Sequence, residues 1–205
     1  MNFIHSPDPD YQDKWRAILQ AFTDAVNHPE EAVLVFLDEF SYYRQPTLAC
    51  AYHLTGKTLP YAHQVARSNT RTRLIAVLNG LSGQVTYLQR SKIGRSALQD
   101  FYTLMRATYP DAQRVYVVQD NCPVHKLPEV LQAMQENGLT PLFLPTYASW
   151  LNPIEKLWRW LKQDIIHLHK LATDLDTLRS QVCDFLNDFA SGSDPLLLYV
   201  GLLLD

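Results

Sequence analysis

The chain has 205 residues, of which 47% are hydrophobic, and its 18 basic and 21 acidic residues give a formal net charge of -3. This length fits one ordinary domain with a sizeable core, and an aromatic content of 11% excludes a disordered chain. The absence of a long apolar run, of an export signal and of regularly spaced cysteines predicts a cytoplasmic protein that does not enter the membrane.

The first half of the chain is predicted to be rich in strands. An apolar stripe predicts a helix over residues 11–27, and six consecutive apolar residues at 32–37 are typical of a strand buried on both faces. Further strands are expected at about 47–53, 73–79 and 85–88, the last after a glycine-containing turn.

In the second half, strands and helices alternate. Helices are expected at about 95–109, 127–137, 152–169 and 175–189, and strands at 114–119 and 141–144. The pattern predicts a single α/β domain, in which a mixed sheet is antiparallel in its first three strands, parallel in its later strands and covered by helices.

Two predicted strands are followed directly by an aspartate. Asp38 comes after residues 32–37, and Asp120 comes after residues 114–119. Polar groups at the carboxyl ends of neighbouring parallel strands face the same crevice, so the two carboxylates would lie close together and repel each other. A divalent cation such as Mg²⁺ would relieve that repulsion. Either aspartate alone could equally be a turn residue or a helix cap.

Glu155 is a third candidate, in the first turn of a predicted helix. Arg159 and Lys162 lie four and seven residues later, so all three side chains share one helix face. The face could be an exposed ladder of ion pairs, or a metal-binding carboxylate beside two cations that grip a phosphate backbone.

Three sequence motifs occur in order around these carboxylates. They are Asp38-Glu39, the run DNCPVH that begins at Asp120, and the run LPTYASWLNPIE that ends at Glu155, with 34 residues between Asp120 and Glu155. In this order and spacing they resemble the DDE transposases of the mariner superfamily, in particular its bacterial insertion-sequence branch. The resemblance implies an RNase H-like fold, with Asp38 on the first strand, Asp120 at the end of the fourth strand and Glu155 on a later helix.

The resemblance also implies a chemistry. Asp38, Asp120 and Glu155 would bind two Mg²⁺ or Mn²⁺ ions and catalyse cleavage and strand transfer of double-stranded DNA in the bacterial cytosol, with the protein acting as a homo-oligomer, a dimer, on DNA. Residues expected to support the triad are Glu39, Asn121, His125 and Asn152. A thiol mechanism using Cys122 and His125 is disfavoured, because a three-residue spacing does not supply a nucleophile, a base and an orienting group.

The resemblance divides the chain into three parts: a lead-in helix at residues 1–31, the catalytic domain at 32–170 and a helical extension of the same domain at 171–205. Full-length members carry helix-turn-helix recognition modules ahead of the catalytic domain. Here the sequence predicts the catalytic part alone, with such a module separately encoded, joined by frameshift or lost. Two alternatives stay open: an RNase H-like nuclease that cuts without joining, and an inactive remnant that binds DNA or dimerises with an intact transposase.

Basic and acidic residues are distributed unevenly along the chain. Residues 40–99 contain eight basic and no acidic residues, which leaves 10 basic and 21 acidic residues elsewhere. A basic segment in an otherwise acidic chain is typical of a surface that binds a polyanion. The residues expected to contact DNA are Arg44, Lys57, Arg67, Arg71, Arg73, Arg90, Lys92, Arg95, Trp150, Arg159 and Lys162.

Overall fold

The computed structural model describes residues 6–50 and 62–203 and shows one five-stranded mixed sheet. The strand order is β3-β2-β1-β4-β5. Strands β1, β2 and β3 are antiparallel neighbours, whereas β4 and β5 run parallel to β1. The strands are β1 Ala32–Tyr43, β2 Arg71–Asn79, β3 Val85–Arg90, β4 Arg114–Gln119 and β5 Leu139–Phe143. This confirms the predicted fold class.

Strand β1 is longer than predicted. It does not end before Asp38 but continues through it for 12 residues in all. The cause is pairing: β2 lies antiparallel to the second half of β1, with Asp38 opposite Ala76 and Tyr43 opposite Arg71. Asp38 therefore lies inside the first strand, as the family resemblance implied, whereas the apolar run alone predicted it just beyond the strand's end.

Helices cover both faces of the sheet. Helix α1 (Tyr11–Asn27), α4 (Ile154–Leu161), α5 (Leu175–Asn187) and α6 (Asp194–Val200) pack on the face that carries the side chains of Leu34, Phe36 and Phe40. Helices α2 (Arg95–Thr108) and α3 (Pro128–Glu136) pack on the opposite face, around Val35, Leu37 and Val117. The continuous apolar run of β1 is explained by this burial on both sides.

Three predicted elements differ in the structure. The strand expected at 47–53 is wrong in its described part, where Thr47 makes a single isolated bridge to His167; residues 51–53 lie outside the described residues, as does Lys57. The helix expected to reach residue 169 is α-helical only to Leu161 and continues as a π-helix over Lys162–Ile166. Helix α6 was not predicted. Within the described residues, none of the helices has the length and apolarity needed to span a membrane.

Candidate active site

Asp38 and Asp120 follow the same stretch of strand pairing. Strands β1 and β4 are parallel neighbours and pair from Ala32 with Arg114 to Phe36 with Val118. Each aspartate lies two residues beyond the last pair, so both are at the same end of this paired region. The prediction that the two strands are parallel neighbours therefore agrees with the topology.

Asp38 is a partly buried carboxylate with one strong donor. Trp158 on α4 donates its Nε1–H to Asp38 Oδ2 at 2.9 Å. Burial, followed by the negative charges of Glu155 and Glu39, raises the pKa of Asp38 to about 7, and the Trp158 hydrogen bond opposes that rise. The ionised form of the Asp38 carboxyl group is thus destabilised unless a cation lies beside it.

The sequence around Glu155 attaches its helix to the same strand. Asn152, just before α4, is buried and donates its Nδ2–H to the backbone oxygen of Leu37 at 3.1 Å. Trp158, one turn after Glu155, binds Asp38. Glu155 therefore lies in a turn of helix that is fastened to β1 on both sides. This explains why a carboxylate on a separate helix raises the pKa of Asp38.

Glu39 points to the other face of the sheet, as alternation along a strand requires. There the fully buried ring of His125 places its Nε2 3.3 Å from Glu39 Oε1 and 3.5 Å from Asp120 Oδ1. Burial alone would lower the pKa of His125, but the carboxylates of Glu39, Asp120 and Asp38 raise it above its ordinary value. His125 Nε2 therefore lies within 3.5 Å of a carboxylate oxygen of both Glu39 and Asp120, on the Glu39 face of the sheet.

The turn after β4 is held by local hydrogen bonds. Asp120 Oδ1 accepts the backbone N–H of Cys122 at 2.9 Å, and Asn121 donates its Nδ2–H to the carbonyl of Leu144 at the end of β5. Of the four residues that we expected to support the triad, His125 contacts Asp120 and Asn152 contacts the backbone beside Asp38. Glu39 instead contacts His125, and Asn121 contacts the backbone of Leu144.

The triad offers only carboxylate oxygens, which are the ligands that hard divalent cations prefer. Within the described parts of the chain, no three acidic, histidine or cysteine side chains converge closely enough to enclose an ion. The three carboxylates therefore do not by themselves enclose an ion. Mg²⁺ needs only one or two protein carboxylates, because it usually keeps waters and substrate phosphates among its ligands.

Glu155 also borders a cationic cavity of about 440 Å³. Its wall includes Arg159 and Lys162 from the same helix face, together with Trp150. Lys162 Nζ also lies 5.2 Å from the centre of the Phe40 ring. The predicted clustering of Glu155, Arg159 and Lys162 on one face is therefore present, and both cations line the cavity beside Glu155.

The basic residues of segment 40–99 that the structure describes occupy another part of the surface. Arg73 lies directly opposite Arg90 on the neighbouring strand, and two like charges at such positions repel each other unless an anion lies between them. Alternation places both on the Glu39 face of the sheet rather than the Asp38 face. Arg95 pairs with Glu129 at 3.3 Å, and the guanidinium of Arg44 reaches the carbonyl of Ala172 at 3.4 Å. Arg67, Arg71 and Lys92 are exposed.

Two site residues were missed from the sequence. Trp158 seemed to be a core aromatic, and it is buried, but its indole N–H binds Asp38. Tyr147 is 81% exposed, has a positive φ of 55°, and borders a cavity of about 330 Å³ shared with Asp120. The three-residue spacing between Glu155 and Trp158 could have indicated that Trp158 lies at the site. No feature of the local sequence predicts the positive φ of Tyr147.

Comparison with known proteins gives a family and a fold. The family model described as DDE superfamily endonuclease matches residues 33–179. A protein of Shigella sonnei named "Insertion element IS630 uncharacterized 39 kDa protein" is 23% identical over 168 residues, which are 81% of this chain and 47% of that protein. The chain therefore spans about half the length of the curated relative that it matches.

Solved structures of Mos1 transposase share the architecture. The Mos1 mariner paired end complex with Mn matches 98% of this chain and 62% of its own, with a TM-score of 0.63 and 15% identity. The isolated catalytic domain of Mos1 mariner transposase matches 98% of this chain and 91% of its own, with a TM-score of 0.56 and 12% identity. At such identities the likeness establishes a common fold.

Proposed function

Because the chain belongs to the DDE superfamily of endonucleases, we propose that it is the catalytic domain of a DNA transposase that cleaves DNA and joins the freed ends to a target. The observation that carries this proposal is the parallel pairing of β1 with β4, two residues beyond which lie Asp38 and Asp120, while Asn152 and Trp158 fasten the Glu155 helix to β1. In this arrangement three carboxylates from distant parts of the chain would act at one end of the sheet.

Asp38, Asp120 and Glu155 are the residues that would hold the metal, as two Mg²⁺ or Mn²⁺ ions. Such a pair supplies Lewis-acid stabilisation of the attacking and leaving oxygens in an in-line displacement at a phosphodiester. The raised pKa of Asp38 supports this assignment, since burial and the charge of Glu155 disfavour the ionised carboxylate, which a bound cation would favour. The Mos1 complexes described with Mn and with Mg support a divalent ion of this kind.

The remaining residues of the site orient these ligands. Trp158 fixes one oxygen of Asp38, and the Cys122 N–H fixes one oxygen of Asp120, so each carboxylate keeps its other oxygen free of these bonds. His125, whose pKa is raised by the neighbouring carboxylates, places its Nε2 between Glu39 and Asp120. Together they hold Asp38 and Asp120 in fixed orientations before substrate binds.

We propose double-stranded DNA, both transposon ends and target, as the partner. Trp150, Arg159 and Lys162 would contact the strand nearest Glu155, and the exposed arginines of β2 and β3 would contact DNA farther from the site. A homodimer on DNA, a separately encoded helix-turn-helix module and action in the bacterial cytosol complete the proposal. The Mos1 paired-end complex with a transposon end supports DNA as the substrate.

An assay with a pre-cleaved DNA end, a target plasmid and Mn²⁺ tests this function. Joined product is expected from the wild type and none from Asp38→Asn, Asp120→Asn or Glu155→Gln. Asp13→Asn, which changes an exposed aspartate of α1, serves as the matched control and should keep full activity. Cleavage without joining would instead identify a nuclease. No metal-dependent product from the wild type would favour the inactive remnant and refute the proposal.

A further inference from the structure

Asp8 is a buried carboxylate outside the triad. Its side chain is 2% exposed. Lys14 Nζ donates to its Oδ2 at 2.7 Å, and the backbone N–H of Asp10 donates to its Oδ1 at 2.9 Å. Thr146 donates twice to Oδ2, through its backbone N–H at 2.7 Å and its hydroxyl at 2.9 Å. These donors, led by Lys14, hold the pKa of Asp8 well below its usual range. Asp8 is therefore a fully partnered buried charge.

The partner Thr146 is bound to this upstream segment through all of its polar groups. Its N–H and hydroxyl reach Asp8, and its carbonyl accepts the hydroxyl of Ser6 at 2.5 Å. The contact joins residues 138 and 140 positions apart in the sequence. It therefore fixes the chain before α1 to the chain that follows β5.

Thr146 begins the segment that leads to Glu155, and we define residues 146–152 as the catalytic loop. Directly after Thr146, Tyr147 adopts a positive φ of 55°, a strained conformation that persists only where its surroundings impose it. At the far end of the loop, Asn152 donates to the carbonyl of Leu37. Hydrogen bonds to distant elements thus anchor both ends of the loop, Asp8 at one end and β1 at the other.

We propose that Asp8 is a positioning residue of the active site, which holds the catalytic loop in the conformation that keeps Glu155 beside Asp38. This inference rests on the proposed function, because it gives the loop a role in metal-dependent cleavage. A neutral side chain at position 8 would leave Lys14 without its carboxylate partner and weaken both bonds from Thr146. The catalytic loop would then lose its upstream anchor, and a displacement of about 1 Å at a catalytic group lowers rates by about a hundredfold.

Hydrogen exchange tests the anchor itself. In Asp8→Asn, the amides of residues 146–152 should exchange about tenfold faster than in the wild type, because a loop that has lost one anchor opens more often. The amides of β4 and α5 should be unchanged. Asp13→Asn, on an aspartate whose side chain is 78% exposed, is the matched control and should exchange as the wild type does. Unchanged exchange in the loop, or faster exchange throughout the chain, would overturn the proposal.

Cleavage kinetics test the catalytic consequence. At saturating duplex DNA and Mn²⁺, Asp8→Asn should lower the single-turnover rate by about tenfold to a hundredfold and leave the Kd for DNA unchanged. Thr146→Ser keeps the hydroxyl and should retain the wild-type rate, whereas Thr146→Val should lower it. A normal rate in Asp8→Asn would contradict the proposal. If the wild type gave no metal-dependent product, the proposed function would fail, and the exchange experiment alone would decide whether Asp8 holds the loop.

Discussion

Replacing Asp38 with asparagine should stabilise the metal-free protein. Burial and the charge of Glu155 raise the pKa of Asp38 from 3.8 to about 7 on folding. Because the folded state then binds the proton more tightly than the unfolded state, stability falls as the pH rises between these two values and stays low above them. At about 1.4 kcal/mol per pKa unit, the full penalty is about 4 kcal/mol at pH 8. Asparagine carries no charge and keeps an oxygen that can accept the Trp158 N–H.

Urea unfolding in the presence of EDTA measures this penalty. Asp38→Asn should be more stable than the wild type, and the difference should grow by about 2 to 3 kcal/mol between pH 5 and pH 8. Asp13→Asn should show no such growth, because that carboxylate is exposed. Added Mn²⁺ should stabilise the wild type and leave Asp38→Asn unaffected. A variant that is less stable than the wild type at pH 8, or a difference that does not depend on pH, would refute the reasoning.

Three further predictions concern the hydrogen bond from Asn152 to β1, the proposed DNA-binding surface and the turn at Gly83. Asn152→Ala leaves the buried Leu37 carbonyl unpaired and should lower the free energy of unfolding by about 1–3 kcal/mol; an unchanged urea midpoint would show that the tether is dispensable. Arg90→Gln should reduce the salt slope of DNA binding in fluorescence anisotropy by about one, while Arg16→Gln on α1, the control, should not; equal slopes would remove Arg90 from the DNA surface. Gly83→Ala places a Cβ 2.4 Å from the Ser193 carbonyl at a φ of +69° and should cost more than about 1 kcal/mol, so a wild-type thermal melt would contradict it.

The sequence predicted those features that depend on local patterns. Strand β4 has the bounds that its apolar run indicated, and the alternation of strands and helices gave the mixed sheet. The length of β1 could not be read locally, because Asp38 and Glu39 interrupt the apolar run and only pairing with β2 continues the strand through them. In the same way, the segment after Leu161 is set by tertiary contacts, which include a hydrogen bond between Thr47 Oγ1 and His167 Nδ1 at 2.7 Å.

The same distinction between local patterns and tertiary contacts applies to the residues of the candidate site. Asp38, Asp120 and Glu155 stood out because each lies in a recognisable motif, and the topology makes the strands that precede the two aspartates parallel neighbours. Trp158 and Asp8 did not stand out, because an indole in a helix and an aspartate in a proline-flanked lead-in are ordinary in sequence. Their roles depend on partners about 120 and 138 residues away, which no local pattern encodes.

Asp38 and Glu155 are held in position in two different ways. Asp38 lies in the middle of a central strand, and its backbone is paired with Ala76 of β2. Glu155 instead depends on the catalytic loop and on three side chains, Asp8, Asn152 and Trp158, that fasten the loop and its helix. Sequence change in the loop can therefore alter the surface near Glu155 without moving Asp38, provided that these three side chains and their partners are kept. A change at Asp8 should act on Glu155 first, whereas a change at Trp158 or Asn152 also removes a hydrogen bond to Asp38 or to the backbone beside it.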